Sequence, residues 1–125
     1  MDVIEKVSVV MCTYNGEKYI RQQLDSILQQ TYPIYEIIIN DDLSTDKTVD
    51  IIKEYMIRYD NIHLFVNSKR LGVHPNFMVA LAKASGDYIA ISDQDDIWEL
   101  AKIEKQMACL KDYALCFSLS RSFGD

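Results

Sequence analysis

The chain has 125 residues, of which 49% are hydrophobic and 26% charged, and its formal net charge is −6. That length supports one domain able to bury roughly two thirds of its unfolded surface, and the composition is that of a soluble globular protein, not a disordered or fibrous one. The acidic balance, with no cluster of Lys and Arg, excludes a general nucleic-acid partner, because phosphate-backbone binding needs a basic face.

Taken in order, Val7 to Cys12 is a continuous apolar run rich in β-branched residues, which predicts a strand covered on both faces. It ends at the turn-forming cluster Thr13-Tyr14-Asn15-Gly16, and Ile20, Leu24, Ile27 and Leu28 then recur at helical spacing. Pro33 follows that helix. Tyr35 to Asn40 reads as a second strand, closed by Asp41-Asp42-Leu43-Ser44, with Ser44 a candidate helix N-cap and Asp46 favouring the helix dipole. Val49, Ile52, Met56 and Tyr59 mark one face of a second helix. Ile62 to Val66 is a third strand, followed by a polar loop in which Gly72 permits a tight turn. Pro75 suits a first helical position, Phe77, Leu81 and Ala84 give a third helix its apolar face, and Gly86 suits the position just past its end.

Tyr88 to Ser92 reads as a short buried fourth strand that runs into three carboxylates, Asp93, Asp95 and Asp96. Leu100, Ile103, Met107 and Leu110 fit a fourth amphipathic helix, and Tyr113 to Ser118 a fifth strand. Strict alternation of strands and helices implies an α/β fold with mainly parallel strands, right-handed crossovers and helices on both faces. The loops Thr13 to Glu17, Asp41 to Ser44 and Asp93 to Asp96 all follow strands. They therefore emerge on one rim, where ligands bind in open α/β sheets. Cys12, Cys109 and Cys116 lie in apolar settings and read as reduced core residues, not a disulfide framework or zinc site. The N-terminus lacks a signal-peptide profile and no apolar run approaches the roughly 18 residues of a membrane span, so a cytoplasmic location is expected.

Like charges as close as Asp93, Asp95 and Asp96 repel unless water, a cation or a donor-rich ligand compensates them, and an all-oxygen cluster suits Mg2+ or Mn2+. The same residues could instead form a solvated turn capping the next helix. Asp41 and Asp42 either begin a helix or supply a carboxylate that accepts the imide N–H of uracil or thymine. Tyr14 is either a packed aromatic or a platform for that base, Lys69 and Arg70 a solvated loop or the counter-charge to a diphosphate, and Trp98 a core residue or a face for a sugar ring. His63 and His74 receive no role. A receiver domain lacks its acidic pair here, a P-loop enzyme its Gly-x-x-x-x-Gly-Lys-Ser/Thr, a dinucleotide oxidoreductase its Gly-x-Gly-x-x-Gly, and a hydrolase its Gly-x-Ser-x-Gly elbow.

Three segments occur in a specific order and spacing: Val7-Ser-Val-Val-Met-Cys-Thr-Tyr-Asn-Gly16, Asp41-Asp-Leu-Ser-Thr-Asp46, and Ala84-Ser-Gly-Asp-Tyr-Ile89 followed by Asp93-Gln-Asp-Asp-Ile-Trp98. With them the chain resembles, from Val7 to about Trp98, the N-terminal half of a family 2 glycosyltransferase of the GT-A fold. Leu71-Gly-Val-x-x-Asn-Phe77 and the Asp-Gln-Asp-Asp-Ile-Trp variant resemble rhamnosyltransferase-like members that build cell-surface polysaccharide. The resemblance implies inverting transfer of a sugar from a nucleotide diphosphate donor, UDP- or dTDP-linked, to a saccharide or lipid-linked acceptor. It implies nucleotide-sugar contacts from Thr13, Tyr14, Asn15, Glu17, Asp42, Arg70, Asn76 and Asp93, and binding of Mg2+ or Mn2+ by Asp93 and Asp95. The family places Arg-Asn before the third helix; here Pro75 precedes Asn76, and Arg70 is the substitute cation.

The family's catalytic base and most of its acceptor site fall beyond Asp125. The chain is accordingly expected to be a single partial domain, residues 1–125, that carries the donor half of the site, with self-association of this fragment and peripheral membrane association of the full-length protein. A non-catalytic nucleotide-binding domain and a nucleotidyltransferase of similar fold are the alternatives, although the Gly-rich, Arg-containing first loop of the latter is absent.

Overall fold

The computed structural model describes residues 4–93, 96–112 and 121–122. The elements run β1 (Val7–Thr13), α1 (Ile20–Leu28), β2 (Glu36–Asp41), α2 (Thr48–Arg58), β3 (Ile62–Val66), α3 (Val73–Leu81), β4 (Tyr88–Ser92), β5 (Asp96–Ile97), α4 (Lys102–Asp112) and β6 (Arg121–Ser122). The strands β1 to β4 form an all-parallel sheet in the order β3-β2-β1-β4, and β5 pairs with β6 in a separate antiparallel ladder. The expected strand Tyr113 to Ser118 lies outside the described residues.

Central position explains the apolar runs. Every residue of β2 is buried, and β1 is buried except at Cys12, because each has a strand on both sides and a helix on both faces. On one face Val7, Val9, Met11, Ile37 and Ile39 pack with Ile20, Leu24 and Ile27 of α1, with Ile51, Ile52 and Tyr55 of α2, and with Trp98 and Ile103. On the other, Val10 and Ile38 pack with Ala80 and Phe77 of α3. Each fully buried aliphatic side chain contributes about 1.5–3 kcal/mol by its removal from water.

Several local expectations need correction. β4 is not buried: it is an edge of the described sheet, and Ile89 and Ile91, in register with Ser8 and Val10, are 47% and 46% exposed. Ser44 does not cap α2. Its amide and hydroxyl both donate to Asp41, and the carboxylate of Asp46 instead accepts from the N–H and hydroxyl of Thr48 at the helix start. The buried face of α2 is Ile51, Ile52 and Tyr55, whereas Tyr59 is exposed. α3 begins at Val73, so Pro75 is its third residue, still within the first turn where its missing N–H is harmless. Gly86 does not cap α3, which ends five residues earlier. It lets the chain pass against β1, where a Cβ would lie 2.6 Å from Ser8 Oγ and 2.8 Å from the Lys6 carbonyl. Cys109 is disulfide-bonded and Cys12 is free; apolar setting reports burial, whereas a disulfide depends on proximity.

Candidate functional site

A cavity of ≈ 1000 Å³ runs along the whole of β4, from Val7 and Tyr88 to the C-terminal ends of β1, β2 and β4, and also reaches α3 and α4. The parallel sheet puts all three loops on this rim, as the alternation required.

The first two loops are laced together. Thr13 Oγ1 donates to Asp41 Oδ1 at 2.6 Å, so β1 and β2 end in a shared hydrogen bond. Asn15, in the left-handed region at φ 50°, donates its N–H to Ser44 Oγ and accepts through Oδ1 from the amides of Thr45 and Asp46. The N–H groups of Gly16 and Glu17 donate to Thr48 Oγ1 and Asp46 Oδ2. Asp41, fully buried, is thus consumed by the loops.

Asp42 faces the cavity, and it is buried at 3% exposure. Its Oδ1 accepts from Asn67 Nδ2 at 3.0 Å and Leu71 N–H at 2.7 Å; its Oδ2 accepts from Gly72 N–H at 3.0 Å and Arg70 Nε at 3.2 Å. Gly72, at φ +90°, makes the two backbone donors converge. Burial pushes the carboxyl upward, but the donors Leu71, Asn67, Gly72 and Arg70 outweigh it and hold it at about 2. The Arg70 guanidinium lies 3.5 Å from the centroid of the Tyr14 ring, so Asp42, Arg70 and Tyr14 form one stack at the cavity wall.

Beneath Asp42 lies a polar network. Asn76, 2% exposed, donates to the Asn40 carbonyl and accepts from the side chains of Asn40 and Asn67, while Lys83 Nζ donates to Asn40 Oδ1. Asn76 borders the cavity, yet its carboxamide is committed to holding β2, the 67–72 loop and α3 together. Asp93 is exposed in the cavity lining just after β4, which lies on the other side of β1 from β2 and Asp42. Cys12 lines the same cavity, and burial, reinforced by the charges of Asp42 and Asp93, pushes its thiol up to about 11.

Among the expected site residues, the cavity therefore brings together Thr13, Tyr14, Asp42, Arg70, Asn76 and Asp93, while Asn15 and Glu17 are not part of its lining. Asp95 lies outside the described residues, among which no group of three His, Cys, Asp or Glu side chains gathers to hold a metal. A hard cation held by one or two carboxylates and completed by phosphate oxygens and water needs no such cage, so Asp93 on an open rim fits one. Trp98 is a core residue, 4% exposed with Lys102 Nζ 4.8 Å over its ring, and not a platform for a sugar. Sequence reasoning missed Asn67 and the Leu71 and Gly72 amides, which hold Asp42. Only Gly72 carried a signal.

The family model of glycosyl transferase family 2 matches residues 8–124. The chain is 41% identical over 114 residues to the dTDP-rhamnosyl transferase RfbG of Shigella flexneri, covering 86% of this chain and 39% of that protein. It is 37% identical over 114 residues to TuaG of Bacillus subtilis, named as a teichuronic acid biosynthesis glycosyltransferase, covering 91% and 45%. S. aureus TarS 1-349 in complex with UDP-GlcNAc superposes with a TM-score of 0.80 at 30% identity, covering 87% of this chain and 32% of that one. The mannosyltransferase PcManGT of Pyrobaculum calidifontis, in complex with GDP-Man and Mn2+, gives 0.70 at 29%, covering 77% and 29%. The chain spans less than half the length of each of these proteins. An all-parallel sheet with its polar loops on one rim, a sequence match across nearly the whole chain and these structural neighbours agree: the chain belongs to glycosyl transferase family 2 and has the GT-A fold.

Proposed function

We propose that this chain is the donor-binding part of an inverting glycosyltransferase that moves a sugar from a UDP- or dTDP-sugar to a saccharide or lipid-linked acceptor in cell-surface polysaccharide synthesis. The observation that carries this reading is the convergence of Tyr14, Asp42, Arg70 and Asp93 on one cavity. They supply a ring for stacking, a carboxylate for an imide N–H, a cation for a diphosphate and a carboxylate for a divalent ion. The names of RfbG and of the TarS complex support a pyrimidine nucleotide, whereas the PcManGT complex, which supports Mn2+, holds the purine nucleotide sugar GDP-Man.

Asp42 already accepts four hydrogen bonds, about its full capacity, so a base can engage it only if one donor gives way. Arg70 is that donor: its bond is the longest of the four, its side chain is 50% exposed, and the others are two backbone amides and an asparagine tied into the Asn40–Asn76 network. Its departure opens one acceptor position on Asp42 Oδ2, which keeps the Gly72 N–H, and the Tyr14 face together. Mg2+ or Mn2+, when bound, neutralises charge developing on the diphosphate leaving group, and Asp93, with Asp95, would hold it.

Titration calorimetry of the 125-residue chain with UDP, dTDP and ADP, with and without Mn2+, tests the reading. Weak, Mn2+-enhanced binding of UDP and dTDP over ADP is expected. Asp93→Asn should remove the enhancement and leave the melting temperature unchanged. Equal binding of ADP, or none of the three showing an Mn2+ effect, overturns it.

A further inference from the structure

The buried face of α1 is not uniformly apolar. Between Ile20, Leu24 and Ile27 it carries Gln23, 1% exposed, and Ser26, 7% exposed. A buried carboxamide is costly unless its donors are satisfied, and both N–H groups of Gln23 are used on the far side of the sheet order: Nε2 donates to Ser92 Oγ at 3.0 Å and to the backbone carbonyl of Asp93 at 2.6 Å. Ser26 Oγ donates to the Gln23 carbonyl and accepts the N–H of Trp98 at 3.0 Å. Adjacent turns of one helix thus hold the residue that enters the acidic stretch and a residue that leaves it.

The geometry points to Gln23 as a positioning residue for Asp93: it pins the backbone carbonyl of Asp93 against α1 and so fixes the carboxylate on the cavity side. Leucine would fill the same place in the stripe and pack with Ile20, Leu24 and Ile27, so burial does not require glutamine; the Asp93 carbonyl does. The helix also starts just after the Tyr14–Glu17 loop, with the N–H of Ile20 bonded to the Gly16 carbonyl. One rigid element therefore references both the base-side and the metal-side loop. Groups that orient metal-binding side chains typically change metal affinity by about 10–100-fold when removed.

The inference rests on the donor-site reading above, and the experiment separates the two. The Mn2+ enhancement of UDP affinity is measured for the wild-type chain, Gln23→Leu, Gln23→Glu and Gln30→Leu, alongside hydrogen exchange of the 89–100 segment without metal. Gln30, just past the C-terminal end of α1 and not itself part of the cavity lining, holds the Glu99 carbonyl and the Ile103 amide, and reports the effect of losing a structural hydrogen bond beside that helix. Both Gln23 variants should lose the enhancement by about tenfold or more while retaining metal-free UDP binding, and exchange should rise around residue 93. Gln30→Leu should retain the enhancement. A wild-type chain without any enhancement refutes the donor-site reading. An enhancement that survives in Gln23→Leu, that falls equally in Gln30→Leu, or that is lost because both Gln23 variants unfold refutes the positioning role.

Discussion

Asp42→Asn separates what Asp42 does for the fold from what it does for a ligand. The carboxyl sits at about 2 against an ordinary value of 3.8, and that gap corresponds to about 2 kcal/mol of stability. A second route gives a similar figure. Asparagine keeps one acceptor and turns an amide toward the N–H groups of Leu71 or Gly72, leaving at least one buried donor unpaired at about 1–3 kcal/mol. Because the folded-state value is depressed, the unfolded chain binds more protons between the two values and the contribution is lost on acidification. It is present in full well above 3.8 and falls away as pH drops toward 2. Urea denaturation of wild type and Asp42→Asn from pH 7 to pH 3 should show a difference of about 2 kcal/mol at neutral pH that shrinks below about pH 5. A difference that stays constant over that range would mean the ionised carboxylate is not what holds the 67–72 loop.

Tyr14→Ala removes the platform under Arg70 and should weaken UDP binding by about tenfold in calorimetry, since stacking of a base on an aromatic ring is worth about 1–3 kcal/mol; an unchanged affinity would remove Tyr14 from the site. Gly86→Ala drives a Cβ into the Lys6 carbonyl and Ser8 Oγ and should cost about 1–3 kcal/mol in denaturation without changing nucleotide preference; an unchanged midpoint would show that β1 can yield there. Ile89 and Ile91, which also line the cavity, present half-exposed apolar side chains on an edge of the described sheet, so light scattering should show self-association that Ile91→Lys reduces; a wild-type chain that stays monomeric would refute the edge argument.

The fold was legible because its signals are periodic. Runs such as Val9–Cys12 and Ile37–Ile39 are apolar without alternation only because both faces are covered, and the rim follows from parallel order alone. Boundaries and partners were less legible. Ser44 has a cap residue's chemistry, but α2 starts only at Thr48 and Asp41 takes both of Ser44's donors. The exposure of β4 depends on which strands flank it, which local sequence does not encode. Gln23 reads as an ordinary helix former in a stripe of Ile and Leu. Its meaning comes from Asp93, seventy residues away in sequence.

Burial divides the labour on the rim. Asp41, Thr13 and Asn76 are buried with their polar atoms engaged by other loop residues, so they define where the loops are. Tyr14, Arg70 and Asp93 keep surface on the cavity, so they define what the loops offer. Asp42 belongs to both groups, buried and saturated yet facing the cavity, with one of its four donors on a half-exposed arginine. On the donor-site reading, the group expected to move when a ligand arrives is the one bound least tightly, Arg70. The selectivity of the proposed donor site then depends on whether a ligand can replace Arg70 on both of its contacts at once, a planar face on Tyr14 and an N–H on Asp42. A pyrimidine imide offers both from one ring, whereas the uncoupled chemistry of a free phosphate offers neither.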